Sequence, residues 1–224
     1  MTTLKAYLVN KKNVLYCGLS LFLLLVVFIY FNHRHEGELA QRSLPAWHSS
    51  SFSPTDLGPE ARFQGYSMQI PAGYEAKYNN SLGLLQPFGL DMYLWLNDNQ
   101  LPNDSELSLN VIHRINSQTP ESVVNAEMML DKEHMENFVC SNVEQGKVNG
   151  VAFARAYWQG TNKTATGLHV TRGFTYASVG MMKGVTITGD DKVPCASEPC
   201  VYEPIGQPVL PKLEAAVLTF HQSQ

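Results

Sequence analysis

Groups that carry chemistry by themselves are scarce in this sequence. There is no G-x-S-x-G, no H-E-x-x-H, no phosphate-cradling glycine loop and no EF-hand pattern, so serine-hydrolase, zinc-protease, nucleotide and calcium chemistry have no motif to rest on. Only four cysteines occur. Cys195 and Cys200 are spaced C-x4-C, which is neither the C-x-x-C of thiol oxidoreductases nor a full set of zinc ligands. Basic charge is also short. Three of the sixteen Lys and Arg lie before residue 32, so the remaining thirteen face all twenty Asp and Glu and leave a net charge of −7. Such a balance argues against nucleic acid as a partner.

Charge is missing altogether between Val14 and Phe31, VLYCGLSLFLLLVVFIYF. At about 1.5 Å per residue that run makes a helix of roughly 27 to 30 Å, close to the hydrocarbon thickness of a bilayer. A helix satisfies its own backbone polar groups, so this run can lie in lipid where nothing else in the chain could. Lys5, Lys11 and Lys12 precede it without an acid, whereas Arg34 and Arg42 follow among Glu36 and Glu38. The positive-inside count predicts a cytoplasmic N-terminus and a C-terminal domain on the far side, periplasmic if the cell is bacterial. A cleaved secretory signal fits less well, because the run exceeds the usual h-region and HRHEGELAQR offers no small-x-small site. The expected organisation is residues 1–13 cytoplasmic, 14–31 transmembrane, 32–62 a flexible tether interrupted by Ser, Pro, Gly and charge, and 63–224 one extracytoplasmic domain. Trp47 and Phe52 are the aromatic exceptions in the tether.

Within the domain, Tyr66, Met68 and Ile70 alternate with Ser67 and Gln69 as in a half-buried strand, and Pro71 ends it. Leu82–Phe88 and Asp91–Asn97 read as further strands. From Glu106 to Ile115 the residues Leu107, Leu109, Val111, His113 and Ile115 face one way, while Ser108, Asn110, Ile112 and Arg114 face the other. Thr119 as N-cap, Pro120 at the first position and Glu121 in the first turn announce a helix, whose apolar residues Val124, Met128, Met135 and Phe138 carry it to about residue 138. Asn149-Gly150 is a two-residue hairpin signal before VAFARAYWQG. Leu168–Ala177 and Gly184–Gly189 supply more strands, and the aperiodic stretch Asp190–Pro208 reads as an insertion. Leu210, Leu213, Val217 and Phe220 mark a closing amphipathic helix with one buried stripe. Strands, helix, strands, helix predict an α+β class with a mainly antiparallel sheet covered by helices.

This order resembles the Mog1/PsbP-like fold. The resemblance rests on the strand Tyr66-Ser67-Met68-Gln69-Ile70-Pro71 with Gly73-Tyr74 behind it, the helix from Pro120, the Val148-Asn149-Gly150 hairpin and the closing helix over Leu213–Phe220. It covers about 155 residues, and it implies an antiparallel sheet between helices. Members act mostly as binding or assembly factors, and none of their functional residues maps onto this chain. The loop around Cys195 and Cys200 departs from the simple pattern.

The candidate residues carry competing readings. Tyr93 and Trp95 share one face of their strand. They are core if both sheet faces are covered, and a ligand- or partner-binding patch if one is open. Cys195 and Cys200 pair as a disulfide in an oxidising compartment, which would give about 2 kcal/mol, stand as a reduced structural pair, or, as the third reading, carry redox or metal chemistry. Cys140 is expected to be a buried thiol. His113 on the apolar face of its strand is expected as a core histidine, His169 and His134 as surface residues, and His33 and His35 as part of a solvated tract. Asn79, Asn103 and Asn162 open N-x-S/T triplets. No catalytic residue, metal ligand or cofactor is assigned. The function expected is a single-pass, membrane-anchored binding or accessory protein of an envelope or membrane complex, its partners the bilayer through Val14–Phe31 and a protein in or near the membrane. The alternative is a small extracytoplasmic hydrolase or metal-dependent enzyme.

Overall fold

A computed structural model describes residues 22–27, 44–47, 57–63, 65–79, 93–97, 106–113, 118–164, 167–180, 183–195, 200 and 211–222. The chain divides into two units, Met1–Leu44 and Pro45–Gln224. In the first, residues 22–27 are helical and their apolar side chains are exposed. Among the described residues no helix is long and apolar enough to cross a membrane; the rest of the run from Val14 to Phe31 lies outside them.

Among its described residues the second unit has two antiparallel sheets and two helices, an α+β architecture. Its strands are β1 Leu57–Phe63, β2 Tyr66–Pro71, β3 Glu75–Asn79, β4 Tyr93–Asn97, β5 Glu106–His113, β6 Glu136–Cys140, β7 Glu144–Val148, β8 Val151–Thr164, β9 Gly167–Val179, β10 Lys183–Pro194 and β11 His221–Gln222. Helix α1 spans Pro120–His134 and α2 spans Pro211–Val217. The large sheet runs β3-β4-β5-β10-β9-β8-β6, with β7 also on β8, and the small sheet runs β1-β2-β11.

The long strands β8 and β9 organise the core because their side chains alternate in kind as well as in direction. Phe153, Arg155 and Tyr157 point one way from β8; Ala154, Ala156 and Trp158 point the other. Register carries the division across the sheet: Arg155 faces Tyr176 and Tyr157 faces Phe174, while Ala154 faces Ala177. The alanine face is covered by α1, whose Val123, Val124 and Met128 pack on Ala154, Ala156, Trp158 and Ala177. The aromatic face is covered by α2 and the small sheet, bringing Met68, Ile70, Leu213, Val217 and Phe220 against Phe153, Phe174, Tyr176 and Ile187. Two aromatics lie over glycines directly across the ladder, Trp158 on Gly173 and Phe174 on Gly189, where a Cβ would collide with the ring.

Local signals explain the joints. Thr119 accepts a bond from Ser122 N–H at 3.2 Å and Ser122 Oγ accepts from Thr119 N–H at 2.9 Å, a reciprocal cap at the start of α1. Asn149 and Gly150 both have positive φ, 48° and 83°, as a type I′ turn between β7 and β8 requires. Asn149 Nδ2 also donates to the carbonyls of Leu218 and Phe220, tying that turn to the end of α2.

Several expectations need correction. The tether does not run to residue 62: Leu57–Phe63 is strand β1, paired with β2, and the register shift between Leu57 and Glu60 accommodates Pro59, which had read as a breaker. Glu75–Asn79 is a strand that the alternation did not reveal. Helix α1 stops at His134, with Met135 extended, and Asn137 takes φ 52° where β6 shifts register against β8. Consequently Met135 and Phe138, expected on the helix, both lie beyond its end, and Phe138 belongs to β6. Cys140 lies exposed on β6 and not in the core. The stretch from Asp190 begins as strand, since β10 continues to Pro194. Finally, α2 is not buried along one stripe alone: five successive residues, Leu213 to Val217, are buried. Expected strand Leu82–Phe88 lies outside the described residues.

Candidate functional site

The buried helix α2 carries a carboxylate into the aromatic face of the large sheet. Glu214 is 2 % exposed. Its Oε1 accepts a bond from the Tyr157 hydroxyl at 2.5 Å, another from the Tyr176 hydroxyl and a third from Arg155 Nη1 at 3.2 Å. Tyr157 and Arg155 stand two residues apart on β8, and Tyr176 is the cross-strand partner of Arg155 on β9. Alternation therefore places all three donors on the side that α2 covers. Oε2 of Glu214 has no hydrogen-bond partner among the described residues.

Electrostatics fix the protonation of the donors. Burial, and then the neighbouring Glu214 carboxylate, push both tyrosine hydroxyls well above the ordinary phenol range, so they remain donors at any physiological pH. Burial works against the charge of Arg155, but the oxygens of Tyr176, Tyr157 and Glu144 outweigh it and hold the guanidinium protonated. Arg155 also reaches outward, with Nε and Nη2 bonded to the exposed Glu144 at 3.0 and 2.9 Å. The guanidinium thus bridges a buried acid and a solvent-facing one.

Over this cluster lies a short strap. Trp47 N–H donates to Lys147 C=O and Lys147 N–H donates to Pro45 C=O, each at 2.8 Å, in a parallel bridge between Ala46 and Lys147. The Trp47 ring rests on Gly146, where any Cβ would overlap it. The Arg155 guanidinium carbon lies 4.3 Å from the ring centroid, and Tyr176 meets it edge-on with centroids 5.6 Å apart. Trp47, one of the two aromatics that the tether reading left unassigned, is part of the domain.

A second constellation sits at the small sheet. His221 Nε2 lies 2.7 Å from Ser67 Oγ and 3.3 Å from Glu60 Oε1. The inventory is that of a Ser-His-acid triad, but the arrangement is not. In a triad the acid orients the imidazole through the nitrogen remote from the serine; here serine and acid share Nε2, while Nδ1 lies 3.1 Å from the Thr219 carbonyl. Ser67 is itself buried. Its hydroxyl, and next Arg62, hold the Glu60 carboxyl below the usual range, which describes a hydrogen-bonded tie between β1, β2 and β11.

The residues singled out from sequence are scattered. Tyr93 and Trp95 lie on β4, whose backbone pairs with β3 and β5 so that Trp95 stands opposite Lys77 and Ser108; their side chains lie outside the described residues, as does that of His113. Cys195 and Cys200 are joined in a disulfide, with Cα atoms 5.3 Å apart. His169 Nδ1 is engaged locally at the β8–β9 turn with Gly167 C=O and Thr164 Oγ1. His134 Nδ1 lies 2.7 Å from Leu130 C=O in the last turn of α1. Among the described residues no three His, Cys, Asp or Glu side chains converge as a metal site. The sequence reading missed Glu214, Arg155, Tyr176 and Trp47 as one group. A signal existed: Glu214 is followed by Ala215 and Ala216, small residues that let a helix be buried on more than one side. No protein-family model matches the chain, and no curated protein matches it either.

Proposed function

We propose that this chain is a single-pass membrane protein with a cytoplasmic N-terminus, whose α+β domain works outside the cytoplasm as a binding or accessory module of an envelope or membrane complex. One observation carries the reading: eighteen residues without a charge, Val14–Phe31, follow a segment whose only charged side chains are lysines. The Cys195–Cys200 disulfide supports an oxidising compartment for the domain. For binding over catalysis, the support is how the reactive groups are spent. Glu214 latches a helix, Arg155 bridges two acids, His221 ties β11 to β1 and β2, and His169 and His134 are engaged with neighbours in their own turns. The finer fold reading belongs to the same proposal: a Mog1/PsbP-like sandwich is supported by a central antiparallel sheet with a helix on each side.

Topology is tested by maleimide labelling in intact cells of the single thiol Cys140, in a Cys17→Ser chain. Labelling by a membrane-impermeant reagent is expected, and labelling only after lysis overturns the topology. Partners are tested by capture of the full-length protein from gently solubilised membranes, with a strap-disrupted chain as control. Bound metal in the purified protein, or hydrolytic activity lost on His169→Ala, would instead favour the small hydrolase or metal-dependent enzyme.

A further inference from the structure

The outer edge of β7 presents mainly backbone groups. Val148 and Val151 close the two-residue hairpin, so alternation turns the Gly146 peptide groups toward β8 and those of Lys147 and Gln145 outward. Among the described residues the strap bonds to Lys147, around the bridge to Ala46. In a parallel ladder, the next rung would join the Gln145 carbonyl to the N–H of residue 45. Residue 45 is proline and has no N–H. The strap therefore ends its own ladder one rung short.

Beside this edge lies a socket for a flat ring. Gly146 is its floor, the Arg155 guanidinium covers the ring face and Tyr176 meets the ring edge. A cation over the face favours indole among the aromatic side chains. Pro45 and Ala46 are exposed, so recognition along the strap rests on main-chain groups and the one ring.

We propose that the β7 edge and its socket are a receptor for an extended segment of a partner protein, running parallel to β7, with a tryptophan in the socket and a residue other than proline two places before it. Pro45–Trp47 is the chain's own weaker occupant, displaced when such a segment arrives. This is strand addition to an edge that, among the described residues, carries only the strap, with one anchoring pocket. It rests on the binding-module reading and names the partner's chemistry. A second copy's strap would bring the same proline and gain nothing over the strap already tethered in place, whereas a foreign segment gains the Gln145 rung.

The test uses full-length protein in detergent with two labelled peptides, residues 41–51 as they stand and the same peptide with Pro45→Ala, read by fluorescence anisotropy. A Trp47→Ala protein is expected to bind both, the Pro45→Ala peptide about fivefold tighter, as one added hydrogen bond gives. The unaltered protein, its socket filled, is expected to bind at least about tenfold more weakly, because an intramolecular competitor acts at high effective concentration. Adding Gly146→Val to Trp47→Ala is expected to abolish binding. Absence of binding to a folded Trp47→Ala protein, equal affinity of the two peptides, or binding that survives Gly146→Val each overturns the proposal. A dimer of the unaltered protein that Trp47→Ala dissolves would assign the socket to a second copy and likewise overturn it. Amide exchange at Trp47 keeps the test independent of that variant's folding: Pro45→Ala within the chain is expected to slow it about fivefold, and unchanged exchange overturns the rung argument. Failure here leaves the membrane-anchored reading standing on its own labelling and capture experiments.

Discussion

The two faces of the large sheet are covered by helices in opposite ways. Beneath α1 the strands offer Ala154, Ala156 and Ala177, small side chains that let a fifteen-residue helix settle close, with Trp158 as the large buried ring and Phe138 of β6 at its margin. The polar content there is modest: Trp158 Nε1 donates to Thr175 Oγ1 at 3.1 Å. Beneath α2 the strands offer Phe153, Tyr157, Phe174 and Tyr176, and a seven-residue helix is held by a carboxylate with three donors on one oxygen. A long helix can find its place by apolar area alone, since many contacts share the burden. A short one has too little area for that, and a directional buried network fixes its position instead. The difference shows where this protein uses shape and where it uses aimed bonds.

The strongest way to break the contrast is at Arg155. Arg155→Met leaves the Glu214 charge buried without its cation and is expected to cost about 3–5 kcal/mol, read as a fall in thermal midpoint of the solubilised protein. Adding Glu214→Leu should recover a substantial part of that loss, because an apolar pair removes the orphaned charge. A double variant no more stable than the single one would show that the network does not act as a unit. On the other face the opposite insult applies. Ala156→Leu overfills the α1 contact and is expected to cost about 1–3 kcal/mol, and a neutral result would mean that α1 can ride outward.

Smaller changes sharpen the picture of α1. Thr119→Ala removes one half of the reciprocal cap and is expected to cost about 1 kcal/mol, checked by denaturant unfolding. The titration of Asp131 on α1 reports its surroundings. Partial burial, and next the like charge of Glu127, raise its carboxyl to about 6, with His134 opposing. A folded value above the unfolded one means that Asp131 favours folding most below its ordinary value near 3.8 and that this contribution is lost as pH rises through about 6. Asp131→Asn should therefore stabilise the protein at pH 7 by up to about 1 kcal/mol, discounted for a half-exposed side chain, and by nothing below the ordinary carboxylate range. Equal gains at both pH values would exclude the titration as their source.

Much of this architecture was legible because single residues dictate local geometry. Thr119 with Pro120 set the start of α1, Asn149-Gly150 set the hairpin that leads into β8, and alternation marked β2, β5 and β9. What escaped detection depended on distant partners. Leu57–Phe63 contains Gly58 and Pro59 and has no period of its own; it is a strand because β2 offers an edge and a register shift takes up the proline. Met135 and Phe138 fall at helical spacing after Met128, yet Met135 packs over Gly160, a glycine twenty-five positions away that helical spacing cannot see. The buried cluster was the least visible part. Arg155, Tyr157, Tyr176 and Glu214 come from three elements, and only register and the burial of α2 bring them together. Trp47 was set aside as a tether residue because the glycine beneath its ring stands ninety-nine positions later.

The tie between Asn149 and the carbonyls of Leu218 and Phe220 has a bearing on biosynthesis. A ribosome makes residues 57–194 before α2, so Phe153 and Tyr176 on the aromatic face, and Tyr66 and Met68 on β2, emerge while α2, one of the two elements that close this side, is still unmade. The alanine face has no such delay, because α1 is translated ahead of β8 and β9 and is waiting when they emerge. Chaperone demand should fall on one side of the molecule and end abruptly once Phe220 clears the exit. Nascent chains arrested before Pro211 are accordingly expected to be cut by protease around β2, and chains arrested with Phe220 outside the ribosome to resist; equal resistance of the two would show that the sheet closes its own aromatic side without α2.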